Sequence, residues 1–341
     1  MKGRQIVLDH LGSREAAALV VDGQLFDLYV DTERPRPGTL YRAIANRPVK
    51  GQGGMFLTTP DGPAFLRQIK RLVPGQPILV QVTGYPEPGK AIPVTAKLLF
   101  KSRHAIVTPD APGLNISRSI HDDDLRDTLL TLAHEEMGGG AMGLILRSSC
   151  AGADPDAIRE DIRAVADLAT AILQDAGGKQ PEKLTEGDGP HALAWREWTD
   201  PADVVTEAGC FETSGLNEQI EGLHGPAVPL PAGASMFIEP TRALVAVDVN
   251  TGGDTSAAAG LKANIAAARD LPRQLRLRGL GGQITLDLAP MPKKDRKAFE
   301  SALRTAFRAD TVETALAGWT PLGHFELHRK RDRLPLTELE T

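Results

Sequence analysis

The chain has 341 residues, 41% of them hydrophobic, which suits two or three packed cores rather than one small domain. Lys and Arg total 39 against 44 Asp and Glu, a formal charge of −5, so the chain as a whole is not a basic nucleic-acid binder. No apolar run approaches the roughly 18–20 residues that a membrane helix needs. The start, MKGRQIVLDHLGSRE, also lacks the apolar stretch of a signal peptide, so the cytoplasm is the expected compartment. Cys150 and Cys210 are too few for a disulfide framework or a four-thiolate zinc site.

Residues 4–31 read as three strands, with Asp22-Gly23 between two apolar runs as a hairpin signal. TERPRPG (32–38) reads as a linker. From 39 to 100 five short β-like segments, LYRAIANR, GGMFLTT, PAFLRQI, PILVQVTGY and IPVTAKLLF, are separated by Gly and Pro turns, the pattern of a small barrel of OB type. HAIVTP (104–109) is a strand, HDDDLRDTLLTLAHEEM a helix with an acidic first turn, MGLILRSS (142–149) a buried strand, and 155–177 an amphipathic helix. GGKQPEKLTEGDGP (177–190) reads as a polar linker, and 191–240 shows no clear pattern. ALVAVDVN (243–250) and QITLDLAP (283–290) are strands joined by a helix over about 257–278, which predicts parallel pairing. A second helix covers 292–309, and GHFELHRKR (323–331) is a last strand.

Charge is unevenly spread. Residues 1–150 carry 18 basic and 15 acidic side chains, 151–240 carry 5 and 17, and 241–341 carry 16 and 12. Within 36–105, eleven basic residues face only Asp61 and Glu87. Such a density is the footprint of a polyanion partner, with a merely solvated basic surface as the alternative.

Asp248 and Asp287 fall at or near the ends of two apolar strands, where Asp is disfavoured. On adjacent parallel strands they would present two carboxylates to one crevice. Two such charges repel, so a divalent cation is the natural third party, and oxygen ligands without His or Cys nearby favour Mg²⁺ over Zn²⁺. Asn250, on the same strand face as Asp248, is placed to orient a water that attacks a phosphodiester. The competing reading is that each Asp caps a loop. Arg269, Arg273, Arg276, Arg278, Lys293, Lys294, Arg296, Lys297, Arg329, Lys330 and Arg331 crowd this region, as a phosphate-polymer substrate would require, unless those on the helix are solvated. Pro272 is expected to kink that helix.

ALVAVDVNTG, RQLRLRGLGGQITLDLAPM and GHFELHRKR together resemble the catalytic core of the ribonuclease E/G family of single-strand endoribonucleases. GMFLTTPDGPAFL and EPGKAIPVT resemble its RNA-binding barrel, and NISRSI (115–120) and GLILRSSCAG (143–152) its 5′-monophosphate sensor. The resemblance implies an α/β, multidomain fold, an α/β nuclease core of ribonuclease-H-like and deoxyribonuclease-like subdomains with an inserted OB-type barrel. Its parts would be 1–35 (N-terminal strands of a split ribonuclease-H-like subdomain), 36–105 (barrel), 106–180 (sensor-like region), 181–240 (rest of the ribonuclease-H-like subdomain) and 241–341 (Mg²⁺-binding nuclease subdomain). It implies that Asp248 and Asp287 bind Mg²⁺ and that Asn250 positions water. Phe56, Phe65, Lys90 and Arg118 would hold single-stranded RNA, and Arg147 and Ser148 a 5′ phosphate beside Ile106. The expected activity is cleavage of ribosomal and transfer RNA precursors and messenger RNA to 5′-phosphate and 3′-hydroxyl ends. Two alternatives are an RNA-binding protein with a weakened nuclease and a phosphohydrolase acting on a small ester. The chain departs from the family pattern at Ser148 (Thr in the family), Pro290 (Asp) and Glu313 (Arg). The family's Cys-Pro-X-Cys zinc-link does not follow GHFELHRKR, so a zinc-linked dimer is not expected, which leaves other oligomers open.

Overall fold

The computed structural model describes residues 3–49, 53–67, 71–256 and 258–339, so Lys50 and Lys70 of the basic window lie outside the described residues. Asp22 and Gly23 both take left-handed backbone angles (φ 50° and 81°), as a two-residue hairpin turn requires. They join β2 (Arg14–Val21) to β3 (Gln24–Val30), and β1 (Arg4–Leu11) pairs antiparallel with β2. Ala16, Ala17 and Ala18 are fully buried, small enough to let elements pack closely on β2.

The chain divides into two compact units, Asp31–Asp203 and the remainder, Met1–Val30 with Val204–Thr341. In the first, β4 (Leu40–Val49), β5 (Gly54–Thr59), β6 (Gly62–Leu66), β7 (Pro77–Val82) and β8 (Ile92–Thr95) form a closed five-stranded barrel in the order β4-β5-β6-β8-β7, with β7 returning to β4. Tyr41, Ala43, Met55, Leu57, Ala64, Val80 and Val94 fill it. The expected strand 92–100 ends at Thr95. Phe100 instead belongs to β9 (Phe100–Lys101) and pairs with β10 (Ala105–Thr108) in a separate sheet. That sheet adds β11 (Leu114–Ile116) and is covered by α1 (Asp123–Met137) and, after β12 (Gly143–Leu146), α2 (Pro155–Gln174). Asp122 caps α1 by accepting from the Leu125 amide, and Asp154 caps α2 through Asp156. The stretch 177–190 is not only linker: β13 (Glu182–Thr185) lies against β4. Helix α3 (Pro190–Glu197) follows.

In the other unit, β14 (Asp203–Val205, of which 204–205 belong here) edges the β1-β2-β3 sheet. Next come α4 (Cys210–Thr213) and α5 (Leu216–Glu221). The Asp9 carboxylate accepts from the Phe211 amide and so fixes the start of α4 against β1. The patternless region also supplies β15 (Ala227–Pro229) and β16 (Ser235–Pro240). These lead into β17 (Val245–Asn250), α6 (Ala259–Leu277), β18 (Gly282–Asp287), α7 (Arg296–Arg308), β19 (Thr314–Trp319) and β20 (Phe325–Arg329). The six strands run β15-β16-β17-β18-β20-β19, with β17 and β18 parallel as the crossover predicted. Alternate residues Val245, Val247, Val249, Ile284, Leu286, Phe325 and Leu327 face the core with α6 and α7, and among the described residues of this unit no helix belongs to the core on the opposite face. Helix α6 runs through Pro272 as one continuous element.

Several arginines of this unit are neither solvated nor open to a substrate. Arg276 is 7% exposed and Arg329 1%. Asp310 is fully enclosed between them, with Arg329 Nη1 donating to its Oδ2 at 2.5 Å and Arg276 Nη1 donating to Oδ1. Arg276 and Arg333 also meet Asp27 on β3. Burial raises the Asp27 carboxyl, but the Arg333 and Arg276 charges outweigh it and hold the group below its ordinary value of 3.8. Arg278 is also buried and donates to Gln274 and the Gly225 carbonyl. Among the described residues no helix is long and apolar enough to cross a membrane.

Asp310→Asn leaves the buried Arg329 guanidinium without a counter-charge and Arg276 with Asp27 alone, and is expected to destabilise the fold by about 3–5 kcal/mol. Urea unfolding measures this, and a loss under about 1 kcal/mol would show that the network adds little.

Candidate active site

The β17–β18 ladder pairs Asp248 directly with Asp287 on neighbouring parallel strands, which lie about 4.8 Å apart. Both side chains lie on the face opposite α6 and α7 and are exposed, as is Asn250. Asn250 Nδ2 donates to Asp248 Oδ2 at 2.7 Å, so the amide steadies this carboxylate while its own oxygen stays available. Phe237 on β16 is the register partner of Asp248, and His324 stands beside Asp287, just before β20. One row across four strands thus reads Phe237, Asp248, Asp287, His324.

His324 Nδ1 lies 3.3 Å from Asp287 Oδ1. The expected oxygen-only surroundings, without His nearby, are therefore corrected: the strand order brings an imidazole to Asp287. No local pattern signals the contact, because His324 lies 37 positions from Asp287 and its neighbour is set by the β18–β20 register. Two exposed carboxylates steadied by an amide fit a divalent cation with several retained waters. Among the described residues no three His, Cys, Asp or Glu side chains are gathered into a fuller cluster.

Two contacts fix the backbone that follows Asp287. Asn264 of α6, fully buried, donates from Nδ2 to the Ala289 carbonyl (2.9 Å) and accepts from the Ala289 amide (3.0 Å). Gly260 abuts Pro290 so closely that a Cβ would sit 1.9 Å from its carbonyl oxygen. A strand end carrying a charge is held by an amide that imitates a ladder partner.

The surrounding basic residues divide by role. Arg276, Arg278 and Arg329 are structural, Arg273 binds Asp270 and the Leu25 carbonyl, and Arg296 stacks over Trp319 at 4.0 Å. Arg269, Lys293, Lys294, Lys297 and Lys330 are exposed, although Lys330 pairs with Asp332, and Arg331 is half-buried. Arg276, Arg278 and Arg329 are therefore not open to a phosphate polymer.

In the barrel unit, Phe56 and Phe65 are register partners on β5 and β6 and lie outside the core, with ring centroids 5.2 Å apart. The Arg47 guanidinium sits 5.1 Å from the Phe56 ring centre. Lys90, in the β7–β8 connection, is exposed and pairs with Glu87 at 2.6 Å. Arg118 is exposed and lines a shallow cavity of about 410 Å³ with Asn115, Arg126 and Asp127. Ile106 is half-buried in the β10–β12 pairing. Ser148 is exposed at the end of β12, but Arg147 is engaged. It donates from Nη1 to the Ser102 and Arg196 carbonyls (2.7 and 3.2 Å) and from Nη2 to Glu197 Oε2 (2.6 Å). Burial raises the Glu197 carboxyl, but Arg147 and Arg196 together hold it below its ordinary 4.5.

The ribonuclease E/G family model matches residues 100–202 and 194–332. The chain belongs to the ribonuclease E/G family. Ribonuclease E of Nostoc sp. (strain PCC 7120) is 27% identical over 98% of this chain and 57% of its own length. Ribonuclease G of Escherichia coli K12 is 25% identical over 96% of the chain and 80% of its own length. Ribonuclease E of the same organism is 29% identical over 75% and 28%. The chain spans a little over half the length of the Nostoc and Synechocystis relatives.

Because Glu197 is held below 4.5, its pairing contributes stability in full above that value and loses it as pH falls through the depressed value. Thermal melts from pH 7 to 3 should therefore show wild type losing its advantage over Glu197→Gln on acidification. A pH-independent difference would contradict this.

Proposed function

We propose that the chain is a Mg²⁺-dependent endoribonuclease of single-stranded RNA. The observation that carries this is the Asp248–Asp287 pairing on an exposed sheet face in a member of the ribonuclease E/G family. Similar proteins bear the names ribonuclease E and ribonuclease G. Asp248 and Asp287 would hold the cation, which when bound supplies Lewis-acid stabilisation of the phosphate and lowers the pKa of a bound water. Asn250 fixes Asp248 through Nδ2 and presents its Oδ1 to orient the attacking water. Hydrolysis leaves a 5′-phosphate and a 3′-hydroxyl, and the substrates are ribosomal and transfer RNA precursors and messenger RNA.

In this reading Phe56 and Phe65 stack unpaired bases, Lys90 and Arg118 meet phosphates, and the tolerance of stacking for any base suits a nuclease of flexible strands. Arg147 and Ser148 meet a 5′-phosphate, for which Arg147 exchanges the Glu197 carboxylate. That exchange costs an existing ion pair, so a 5′-monophosphate should stimulate cleavage only weakly. Strands β17 to β20 with α6 and α7 are assigned as the deoxyribonuclease-like nuclease subdomain (241–341), and β15 and β16, from the segment before it, extend its sheet. The N-terminal strands (1–35) with 181–240 are assigned as the split ribonuclease-H-like subdomain, 36–105 as the barrel and 106–180 as the sensor-like region. The cytoplasm is the proposed compartment. A purely RNA-binding role is the weaker reading, because Asp248, Asn250 and Asp287 are all present on one face.

A fluorescent single-stranded RNA separates the two roles. Asp248→Asn should lower cleavage in Mg²⁺ by roughly 10³-fold, the equivalent of several kcal/mol of lost stabilisation, with RNA affinity retained. Phe56→Ala should weaken RNA affinity by roughly 5- to 150-fold, the worth of one stacked base. Equal cleavage by wild type and Asp248→Asn would refute the assigned site.

A further inference from the structure

We infer that His324 is a positioning residue of the cation site, holding Asp287 through its Nδ1 and so raising the affinity of the carboxylate pair for divalent cations. This rests on the reading of Asp248 and Asp287 as the metal-binding pair.

The ring nitrogen that faces Asp287 is shut off from solvent and makes no hydrogen bond, although the side chain as a whole is 34% exposed. A buried polar atom without a partner costs about 1–3 kcal/mol, so a fold tolerates one only where something compensates. The nearby acceptor is the Asp287 carboxylate, with Oδ1 3.3 Å away. A modest closure by either side chain completes that bond.

The root of the imidazole is held in place. The His324 amide donates to Thr320 Oγ1 (3.1 Å), and the Thr320 amide donates to the His324 carbonyl (2.8 Å), which closes the turn between β19 and β20. On either side of the turn, Trp319 and Phe325 pack edge to face at 5.3 Å, and Phe299 of α7 meets Phe325 at 5.8 Å. Asp287 is equally constrained from behind, since Asn264 clamps Ala289. Two anchored elements thus present a donor to one carboxylate oxygen.

With Nδ1–H on Oδ1, the carboxylate is fixed in rotation and its other oxygen is directed outward. A carboxylate oriented in this way binds a cation without first losing its own rotational freedom. Outer partners of this kind are typically worth 10- to 100-fold in metal affinity. The effect acts on the carboxylate and not on the metal, so it applies to Mg²⁺ and Mn²⁺ alike.

The test uses the full chain with Mn²⁺ as probe. Free Mn²⁺ is followed by electron paramagnetic resonance, Mg²⁺ is measured by competition, and each variant's fold is checked by a metal-free thermal melt. His324→Leu should raise the Kd for both ions by the same factor, roughly 10- to 100-fold. His324→Asn, whose Nδ2 takes the place of Nδ1 in the side chain, should recover most of that loss, which a role in packing alone would not allow. If the leucine variant melts early, His324→Ala takes its place beside the asparagine variant. Wild-type affinity in the leucine or alanine variant, with Mn²⁺ binding lost in Asp248→Asn, overturns the role of His324 and keeps the site. A loss confined to Mn²⁺ makes His324 a direct ligand and also overturns the inference. Mn²⁺ bound as tightly by Asp248→Asn as by wild type removes the site reading itself.

Discussion

Two like charges held side by side are the constraint on which the rest of the sheet unit depends. A parallel ladder sets Asp248 against Asp287, and the alternation along each strand turns both to the exposed face opposite α6 and α7. Unit charges about 5 Å apart near a protein surface repel by about 1–3 kcal/mol. The fold nevertheless fixes both strand ends. Valines, Ile284 and Leu286 pin the opposite face to α6 and α7, Asn250 braces Asp248, and Asn264 and Gly260 hold the backbone beyond Asp287. In the proposed reading, rigid strands carrying two like charges make a site that is formed before its cation arrives.

Charge in this chain does two separate jobs. One set of arginines is buried with Asp27 and Asp310 and joins β3, α6, β20 and the segment after it. Ion pairs of this kind are costly to bury, and they serve the fold through mutual satisfaction rather than through a ligand. The other set is exposed and available to a polyanion: Lys293, Lys294 and Lys297 near the sheet, and Arg47 and Lys90 on the barrel unit. Net charge alone hides this division, because the acidic stretch 151–240 cancels the basic barrel segment.

Much of this was legible in the sequence where one local rule dominates. Asp22-Gly23 declared its hairpin, the acidic first turn of 121–137 and the apolar periodicity of 155–177 declared two helices, and the apolar strands around Asp248 and Asp287, with a helix between them, declared a parallel pair. What stayed hidden was non-local. β13 looks like a polar linker because it packs only partly against β4, and its hydrogen-bonding partner lies over 130 residues away. β16 buries Met236 and Ile238 alternately, but the apolar run Met236-Phe237-Ile238 shows no period in sequence, and β19 is only partly buried. Arg276 and Arg329 read as surface charge, since nothing local reveals that Asp310 waits between them. The His324–Asp287 contact depends on strand order, which composition does not encode.

The central claim is that the strand ladder brings Asp248 and Asp287 to one divalent cation. The most direct measurement is the anomalous X-ray signal of Mn²⁺ soaked into crystals of the protein. The account predicts one strong peak on the exposed sheet face, within coordination distance of a carboxylate oxygen from each aspartate. Mn²⁺ bound elsewhere, with the two carboxylates turned apart and empty between them, would contradict it.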